Sequence, residues 1–107
     1  MEGVNVPSGQ DIRFAERLYE DRPDGVTIRY RFVAPSLSEV DFEKAAGDMD
    51  HLCAVYSARE DVDLTQSHRI VVSLSEKSVA FGTTDASVTQ FFEVYSVQEG
   101  ACHVELF

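Results

Sequence analysis

The chain has 107 residues, a length that fits one domain, and it carries a formal net charge of −10. Hydrophobic residues make up 44% of the sequence, enough to fold around one core, which argues against a disordered chain. The negative charge argues against a nucleic-acid backbone or an anionic membrane surface as partner, because both require clustered lysine and arginine. No apolar run reaches the roughly 18 residues that a membrane-spanning helix requires.

The first third of the sequence predicts an irregular lead-in followed by a β-hairpin. Residues 1–10 carry glycines and a proline, with a short edge strand predicted at residues 4–6. Apolar residues alternate with polar ones at 12–18 and 26–33, which is the period of a half-buried strand. The Pro-Asp-Gly sequence between them supplies turn chemistry, so the two strands are expected to pair.

One amphipathic helix is predicted over residues 39–57. Pro35 ends the preceding strand, Ser38 is a suitable N-cap, and acidic residues fill the first turns, where the helix dipole favours negative charge. The apolar residues then recur at spacings of three and four: Phe42, Ala45, Ala46, Met49, Leu52, Cys53 and Tyr56. They fall within an arc of about 120°, as expected for a helix that faces a core.

The second half of the sequence predicts the remaining strands. After a polar loop at 58–68, a strand is predicted at 69–74 and a short returning strand at 79–81. Residues 91–97 and 101–106 predict a last hairpin. The order is ββαββββ, so the predicted class is α+β, with an antiparallel sheet of about five to six strands and the helix on one face. Residues 1–107 are predicted to form a single domain.

The two cysteines are both expected to face this core. Cys53 lies at the centre of the apolar arc of the helix, and Cys102 shares a strand face with Val104 and Leu106. A bridge would close a span of 49 residues, worth about 4 kcal/mol in the chain-entropy model, and would indicate an oxidising compartment. Two buried free thiols in a cytoplasmic protein are the alternative. Without Cys-x-x-Cys spacing, zinc and thioredoxin chemistry are not expected.

Four short strings carry a family resemblance. They are residues 6–9 (Val-Pro-Ser-Gly), the Asp-Met and Leu-Cys pairs within 48–53, residues 85–95 and residues 99–102. Across nearly the whole chain, the sequence resembles a family of small exported alphaproteobacterial proteins of unknown function. The resemblance implies a signal peptide that this sequence lacks, which favours a mature periplasmic or secreted chain and the disulfide; a cytoplasmic protein is the alternative. It implies no activity.

Arginines are concentrated in the first hairpin, where five of the nine basic residues fall within residues 1–33. If the strands pair across the turn, Arg13, Arg17, Arg29 and Arg31 share the face opposite the apolar residues, with Arg17 and Arg29 nearly opposite. Facing like charges need an anion between them, and guanidinium suits carboxylate or phosphate. These four arginines are therefore predicted to bind a partner; pairing with the chain's own acids is the alternative.

An apolar patch is predicted on the back of the sheet. If Cys102 faces the helix, then Phe91 and Phe107 face away from it, together with Tyr95 and Val97. Such a patch indicates a partner or a dimer, which adds Phe91 and Tyr95 to the possible partner-binding residues. Packing under the N-terminal lead-in is the alternative.

The helix and the loop after it are predicted to form an acidic pole. Its members are Asp41, Glu43, Asp48, Asp50, Glu60, Asp61 and Asp63. The uneven charge suits a basic partner or head-to-tail self-association, and a solvated helix face explains it equally well.

No catalytic, cofactor or metal site is predicted. Glu16 falls on the apolar side of its strand, opposite Tyr30, where burial would raise its pKa; a β-bulge is the alternative. Residues 60–63 lack the spacing of a calcium loop, and His51, His68 and His103 share no metal-ligand spacing.

The sequence is compatible with three hypotheses about function. The first is a non-enzymatic exported, periplasmic module that binds a protein partner or itself, with no nucleic acid and no membrane insertion. The second is a small-ligand or enzymatic domain that uses the helix–sheet cleft with Glu16, Tyr30 and an arginine. The third is an acidic cytosolic inhibitor that imitates nucleic acid.

Overall fold

The computed structural model describes residues 3–60, 68–82 and 85–105. Within these ranges, six strands form one sheet in which the spatial order equals the chain order. They are β1 (Gly3–Val4), β2 (Ile12–Arg22), β3 (Gly25–Val33), β4 (His68–Ser75), β5 (Gln90–Gln98) and β6 (Ala101–Val104). One α-helix, α1 (Phe42–Ser57), connects β3 to β4. The predicted α+β class is confirmed.

The sheet is mostly but not wholly antiparallel. β3 and β4 are parallel neighbours, while each of the other adjacent pairs is antiparallel. Parallel strands need a long crossover, and the segment that contains α1 supplies it. The wholly antiparallel sheet predicted from the sequence is therefore wrong at this one pair.

The predicted strand at residues 79–81 is also wrong. A backbone hydrogen bond from Glu76 N–H to the carbonyl of Thr89 closes the base of this segment, and the Glu76 side chain accepts from Thr89 N–H at 3.0 Å. Ser75 then pairs directly with Gln90, so the chain returns to the sheet as β5. The short edge strand predicted at residues 4–6 is present as β1, at Gly3–Val4, although the predicted order did not count it. The order of described elements is therefore βββαβββ rather than ββαββββ.

The helix begins three residues later than predicted. Asp41 is the N-cap, and its Oδ1 accepts a hydrogen bond from Lys44 N–H at 2.9 Å. Ser38 lies instead within a 3₁₀ turn, Leu37–Glu39, which ends where Val40 takes an extended backbone. Two residues able to cap stood close together in the sequence, and burial of Leu37 in the core selects the second.

The core lies between α1 and the face of the sheet that it covers, here called the inner face. The predicted apolar stripe is confirmed in its centre: Ala45, Met49, Leu52, Cys53 and Tyr56 are all buried. The ring of Tyr56 lies 5.1–5.5 Å, centroid to centroid, from three strand aromatics, Phe14, Tyr30 and Phe32. Burial of each large side chain contributes about 1.5–3 kcal/mol, so this face dominates the stability of the fold.

A β-bulge at Ala15 interrupts the first hairpin. Phe14 pairs with Phe32, but the next pair is Glu16 with Arg31, so Ala15 has no opposite residue. From Glu16 to Arg22 the pairs follow the register set by the turn, and the pairs before Ala15 lie one position away from it. An extra residue reverses which side chains face the core, and the alternation therefore changes between Phe14 and Glu16.

The last hairpin turns in two residues. Glu99 and Gly100 both have positive φ, 53° and 77°, as a type I′ turn requires. Gln98 therefore pairs with Ala101, which places Val97 opposite Cys102. Cys102 faces the helix, as predicted, and a disulfide joins it to Cys53 with a Cα–Cα distance of 6.4 Å.

Candidate functional site

The face of the sheet that α1 does not cover is here called the outer face. It carries charged, polar and apolar side chains that are accessible to solvent. Successive strand residues point to opposite faces, so the outer face displays the alternate positions of β2 to β6. Arg29 and Val71 pair across β3 and β4, and Val71 pairs in turn with Val94. Phe92 stands beside this row and is 67% exposed, the largest exposure among the described large apolar side chains.

These residues line a cavity of about 660 Å³, here called the outer groove. The floor is apolar, because Val71 and Val94 form it, and guanidinium groups stand at its sides. The residues that line it include Thr27, Arg29, Arg69, Val71, Phe92, Val94, Ser96 and Glu105. An apolar floor with charged rims can hold a side chain and orient a charged group at once.

Three arginines of the outer face, Arg22, Arg29 and Arg31, are held by glutamates of β2. Arg22 and Arg29 share the single carboxylate of Glu20. These two hydrogen bonds, the one from Arg22 first, lower the pKa of Glu20. Arg31 binds Glu16, and its second nitrogen donates to the carbonyl of Val79 at 2.6 Å.

Phe81 divides the outer face. Its ring lies against the guanidinium carbons of Arg29 and Arg31, at 5.4 and 5.6 Å from the ring centroid, in the range of cation–π contacts. The segment that carries it crosses the sheet from β4, with the Val79 carbonyl bound to Arg31. Arg29 lines the outer groove, whereas Arg31 and Phe81 line a second hollow of about 600 Å³.

The structure brings together only two of the four predicted arginines. Arg29 and Arg31 lie on the outer face, but Arg17 pairs with Tyr30, whose ring is in the core, and so lies on the inner face. The prediction that Arg17 faces Arg29 is wrong, because the two-residue hairpin turn places Leu18 opposite Arg29. Arg13, which pairs with Val33, lies on the outer face as well, but at the other end of β2, where it forms an ion pair with Asp11 at 3.5 Å.

The predicted placement of Phe91 and Tyr95 on the back face is wrong. Tyr95 is fully buried, and its hydroxyl donates to Asp50 of α1 at 2.7 Å. Phe91 packs edge-on against Phe42 of the helix, with ring centroids 5.2 Å apart. Val97 is buried in the core as well. The hairpin turn explains the error, because it puts odd residues of β5 on the same face as even residues of β6; Phe107 lies outside the described residues.

Glu16 faces outward rather than into the helix–sheet cleft. The bulge at Ala15 puts it opposite Arg31, and the two form an ion pair on the outer face. The active-site hypothesis that combined Glu16 with Tyr30 is therefore wrong. The alternative stated from the sequence, a β-bulge, is confirmed.

Tyr30 is instead joined by Glu60, just beyond the end of α1. Its hydroxyl donates to Glu60, and the guanidinium of Arg17 donates to both oxygens of the same carboxylate, at 2.8 and 3.0 Å. The hydrogen bond from Arg17 lowers the pKa of Glu60, while burial and the nearby carboxylate raise the pKa of Tyr30. The cluster keeps fixed charges at neutral pH and ties β2 to the helix end.

One residue of the predicted acidic pole, Asp48, does not lie on the surface. Asp48 is fully buried, and it accepts hydrogen bonds from Ser8 N–H, the Ser8 hydroxyl and the Gln10 amide. Its carboxylate therefore anchors the loop before β2 instead of facing solvent. Asp61 and Asp63, the last two predicted members, lie outside the described residues.

Within the described ranges, no group of three or more histidine, cysteine, aspartate or glutamate side chains could hold a metal ion. In the same part of the chain, no helix is long and apolar enough to cross a membrane.

One family model matches the chain from residue 1 to residue 107, that of a family of unknown function, DUF6497. The chain belongs to the DUF6497 family. No curated protein and no solved structure matches it. Membership in DUF6497 carries no activity, so the case for a function of this member rests on its own side chains.

The sequence did not single out two residues that line the outer groove, Phe92 and Arg69, or Phe81, which contacts Arg29 at its side. Phe92 lies next to Phe91, and only the strand parity set by the turn decides which of the two is exposed. The signal in the sequence that could have identified Phe92 as the exposed residue is Gly100 after Glu99, because a two-residue turn with positive φ fixes the register of the hairpin. Phe81 had no such signal, because its contact with the arginines depends on how a loop crosses the sheet.

Proposed function

We propose that this DUF6497 chain is a non-enzymatic protein-interaction module, exported to the bacterial periplasm, that binds an extended carboxylate-bearing segment of a partner protein in the outer groove. The observation that carries the proposal is the position of Phe92, 67% exposed, beside a floor of buried Val71 and half-buried Val94. A phenylalanine held out in water above apolar surface gains free energy when a partner covers it.

The composition of the groove supports a protein as the occupant. Aromatic residues and arginine are enriched at protein interfaces and dominate their binding energy. Arg29, Arg69 and Phe92 line the groove together. An extended segment would place an apolar side chain on the floor and a carboxylate beside a guanidinium.

The charge of the outer face supports an acidic occupant. Five of the nine basic residues, Arg13, Arg22, Arg29, Arg31 and Arg69, lie on this face of a chain whose net charge is −10. Their present ion pairs are partly exposed, and such pairs contribute about 0–1 kcal/mol. Exchange of an internal glutamate for a partner carboxylate therefore costs little.

The pKa shifts support a binding role rather than acid–base catalysis. General acids and bases need pKa values near the working pH. In the described residues with a resolved shift, each pKa moves away from neutrality: downward for Glu20, Glu60 and Asp85, and upward for two arginines and two tyrosines.

The disulfide supports export, because such bonds persist in oxidising compartments. It also weakens the third hypothesis about function, a cytosolic inhibitor that imitates nucleic acid. Intact mass of protein taken from its native compartment tests this part. The expected chain is lighter than its fully reduced form by two hydrogen masses, and a native dithiol would contradict export.

Peptide selection tests the groove. A displayed library of random peptides should yield sequences that combine an acidic and an apolar residue. Phe92→Ser and Arg69→Glu should each weaken binding of a selected peptide about tenfold or more. Phe42→Ser is the matched control, because Phe42 is also half exposed but lies on the helix. Binding that follows Phe42 and ignores Phe92 would overturn the proposed site.

A further inference from the structure

A long stretch of β2 has an open edge. β2 spans eleven residues, but β1 pairs only with Ile12 and Arg13. Past the bulge, residues 16–22 pair with β3 on one side and with no described strand on the other. Such an edge presents unpaired N–H and C=O groups, which are a template for another strand.

The charges along this edge select the occupant. Residues 16–22 read Glu-Arg-Leu-Tyr-Glu-Asp-Arg. If a second copy of the same strand runs antiparallel with Tyr19 opposite its own counterpart, Glu16 meets Arg22 and Arg17 meets Asp21. The two-fold axis repeats both pairs, so the contact holds four pairs of opposite charge and no pair of like charge. We propose that the chain forms a dimer through this edge, with β2 of the two copies antiparallel about Tyr19.

The neighbouring registers are each opposed by like charges. A shift of one position toward the start of β2 puts Glu16 opposite Asp21, which offsets the attraction of Arg17 and Glu20 in that register. A shift of one position toward its end puts Arg17 opposite Arg22. Shifts of two positions put Glu16 opposite Glu20 or Glu20 opposite itself. Like charges directly opposite destabilise a strand pair, so the same residues that favour one register reject the others.

Three of the side chains are available for this contact, whereas Glu16 and Arg17 would meet the second copy while also bound to Arg31 and Glu60. Arg22, at 58% side-chain exposure, shares Glu20 with Arg29, so its guanidinium has a surplus of donors. Tyr19 is half exposed. Asp21 is exposed and forms no ion pair within the described ranges. Charges on edge strands commonly prevent association. Here, however, the charges of one strand lie opposite charges of the other sign when a second copy runs antiparallel to it.

This contact shares one residue with the outer groove, because Arg22 of β2 lines the end of the groove beside the hairpin turn. The rest of the groove lies over the turn and over β3 to β6, away from the edge of β2 where the second copy pairs. A dimer would therefore carry two grooves on one continuous sheet. This inference does not rest on the proposed peptide binding, and either can fail alone.

Charge exchange tests the interface by sedimentation equilibrium in low salt, with thermal unfolding of each variant recorded alongside. Arg22→Glu turns two attractive pairs into repulsive ones and should weaken the dimer about tenfold or more. The double variant Glu16→Arg with Arg22→Glu restores opposite charges and should restore the dimer. Arg13→Glu is the matched control, with the same charge change on the same strand outside the interface. A wild-type chain that stays monomeric up to millimolar concentration overturns the proposal.

Cross-linking tests the register directly. Residue 19 faces itself in the dimer, with Cβ atoms about 4.5–5.5 Å apart, so Tyr19→Cys should give a covalent dimer on oxidation. Asp21→Cys is the control, because its own counterpart lies about 13 Å away along the strands. A covalent dimer from Asp21→Cys and none from Tyr19→Cys would overturn this register.

Discussion

Asp48 shows how one side chain fixes a loop. It is a fully buried carboxylate on α1 that accepts three hydrogen bonds from the Ser8 and Gln10 groups that precede β2. A buried carboxylate is stable only where such donors surround it. The loop is therefore held by the helix, although residues 5–10 belong to no strand.

Removal of this carboxylate should be costly. We expect Asp48→Ala to lower the free energy of unfolding by about 3 kcal/mol, because Ser8 and Gln10 lose a charged acceptor while partly buried. Asp48→Asn keeps one acceptor oxygen and should lose roughly half as much. Urea denaturation measures both, with exposed Glu43→Ala as the control on the same helix. A loss in Asp48→Ala no larger than that of the control would contradict the anchor.

Glu60 gives the fold a pH dependence of known sign. Its pKa in the folded chain lies below the ordinary value of 4.5, chiefly because Arg17 donates hydrogen bonds to it. The ionised carboxylate therefore stabilises the fold above the unfolded-state pKa, and this contribution is lost as the pH falls through the folded-state pKa.

We expect Glu60→Gln to lower the free energy of unfolding by about 1–2 kcal/mol at neutral pH, since it loses the charge-assisted contacts with Arg17 and Tyr30. The difference from the unmodified chain should shrink as the pH falls below 4.5. Urea denaturation across this range measures it, and Glu39→Gln, at an exposed residue, is the control. A difference that stays constant across the range would mean that Glu60 is held by shape and not by charge.

At the scale of elements, the sequence predicts whether a segment is a helix or a strand more accurately than it predicts which face of the sheet each side chain lies on. The hairpins, the helix stripe and the core positions of both cysteines follow from period and turn chemistry, which are local properties. The faces of Arg17 and Phe91 do not, because one bulged residue and one two-residue turn reverse the parity of a strand. A single residue thus decides which candidate site exists.

The parallel pairing of β3 with β4 also does not follow from the local sequence. The two strands give opposite signals: β4 has a continuous buried apolar centre, which is typical of a parallel strand, whereas β3 alternates apolar residues with Arg29 and Arg31, which is typical of an antiparallel one. The choice depends on where α1 returns the chain. The same holds for Phe81, whose place on Arg29 and Arg31 follows from the path of a loop.

At the scale of the whole molecule, the disulfide connects the two halves of the chain. α1 follows β3, while β6 is the last described strand and has a single neighbour in the sheet, β5. The bond between Cys53 and Cys102 ties this edge strand to the helix across a sequence separation of 49 residues. It therefore limits the freedom of the unfolded chain over nearly half its length and protects a short edge from fraying.

Loss of the bond should lower the free energy of unfolding by about 4 kcal/mol, as the chain-entropy model gives for a loop of this size. The paired substitution of Cys53→Ala and Cys102→Ala measures the loss by urea denaturation, and the unmodified chain in dithiothreitol should unfold at a similarly lowered midpoint. The paired variant is its own control, because reductant has no bond to open in it. Hydrogen exchange should then show β6 opening before β2 and β3, since the cross-link that held β6 against the helix is gone. Unfolding of the unmodified chain that is insensitive to reductant would show that packing of α1 on the sheet, not the covalent link, holds this edge in place.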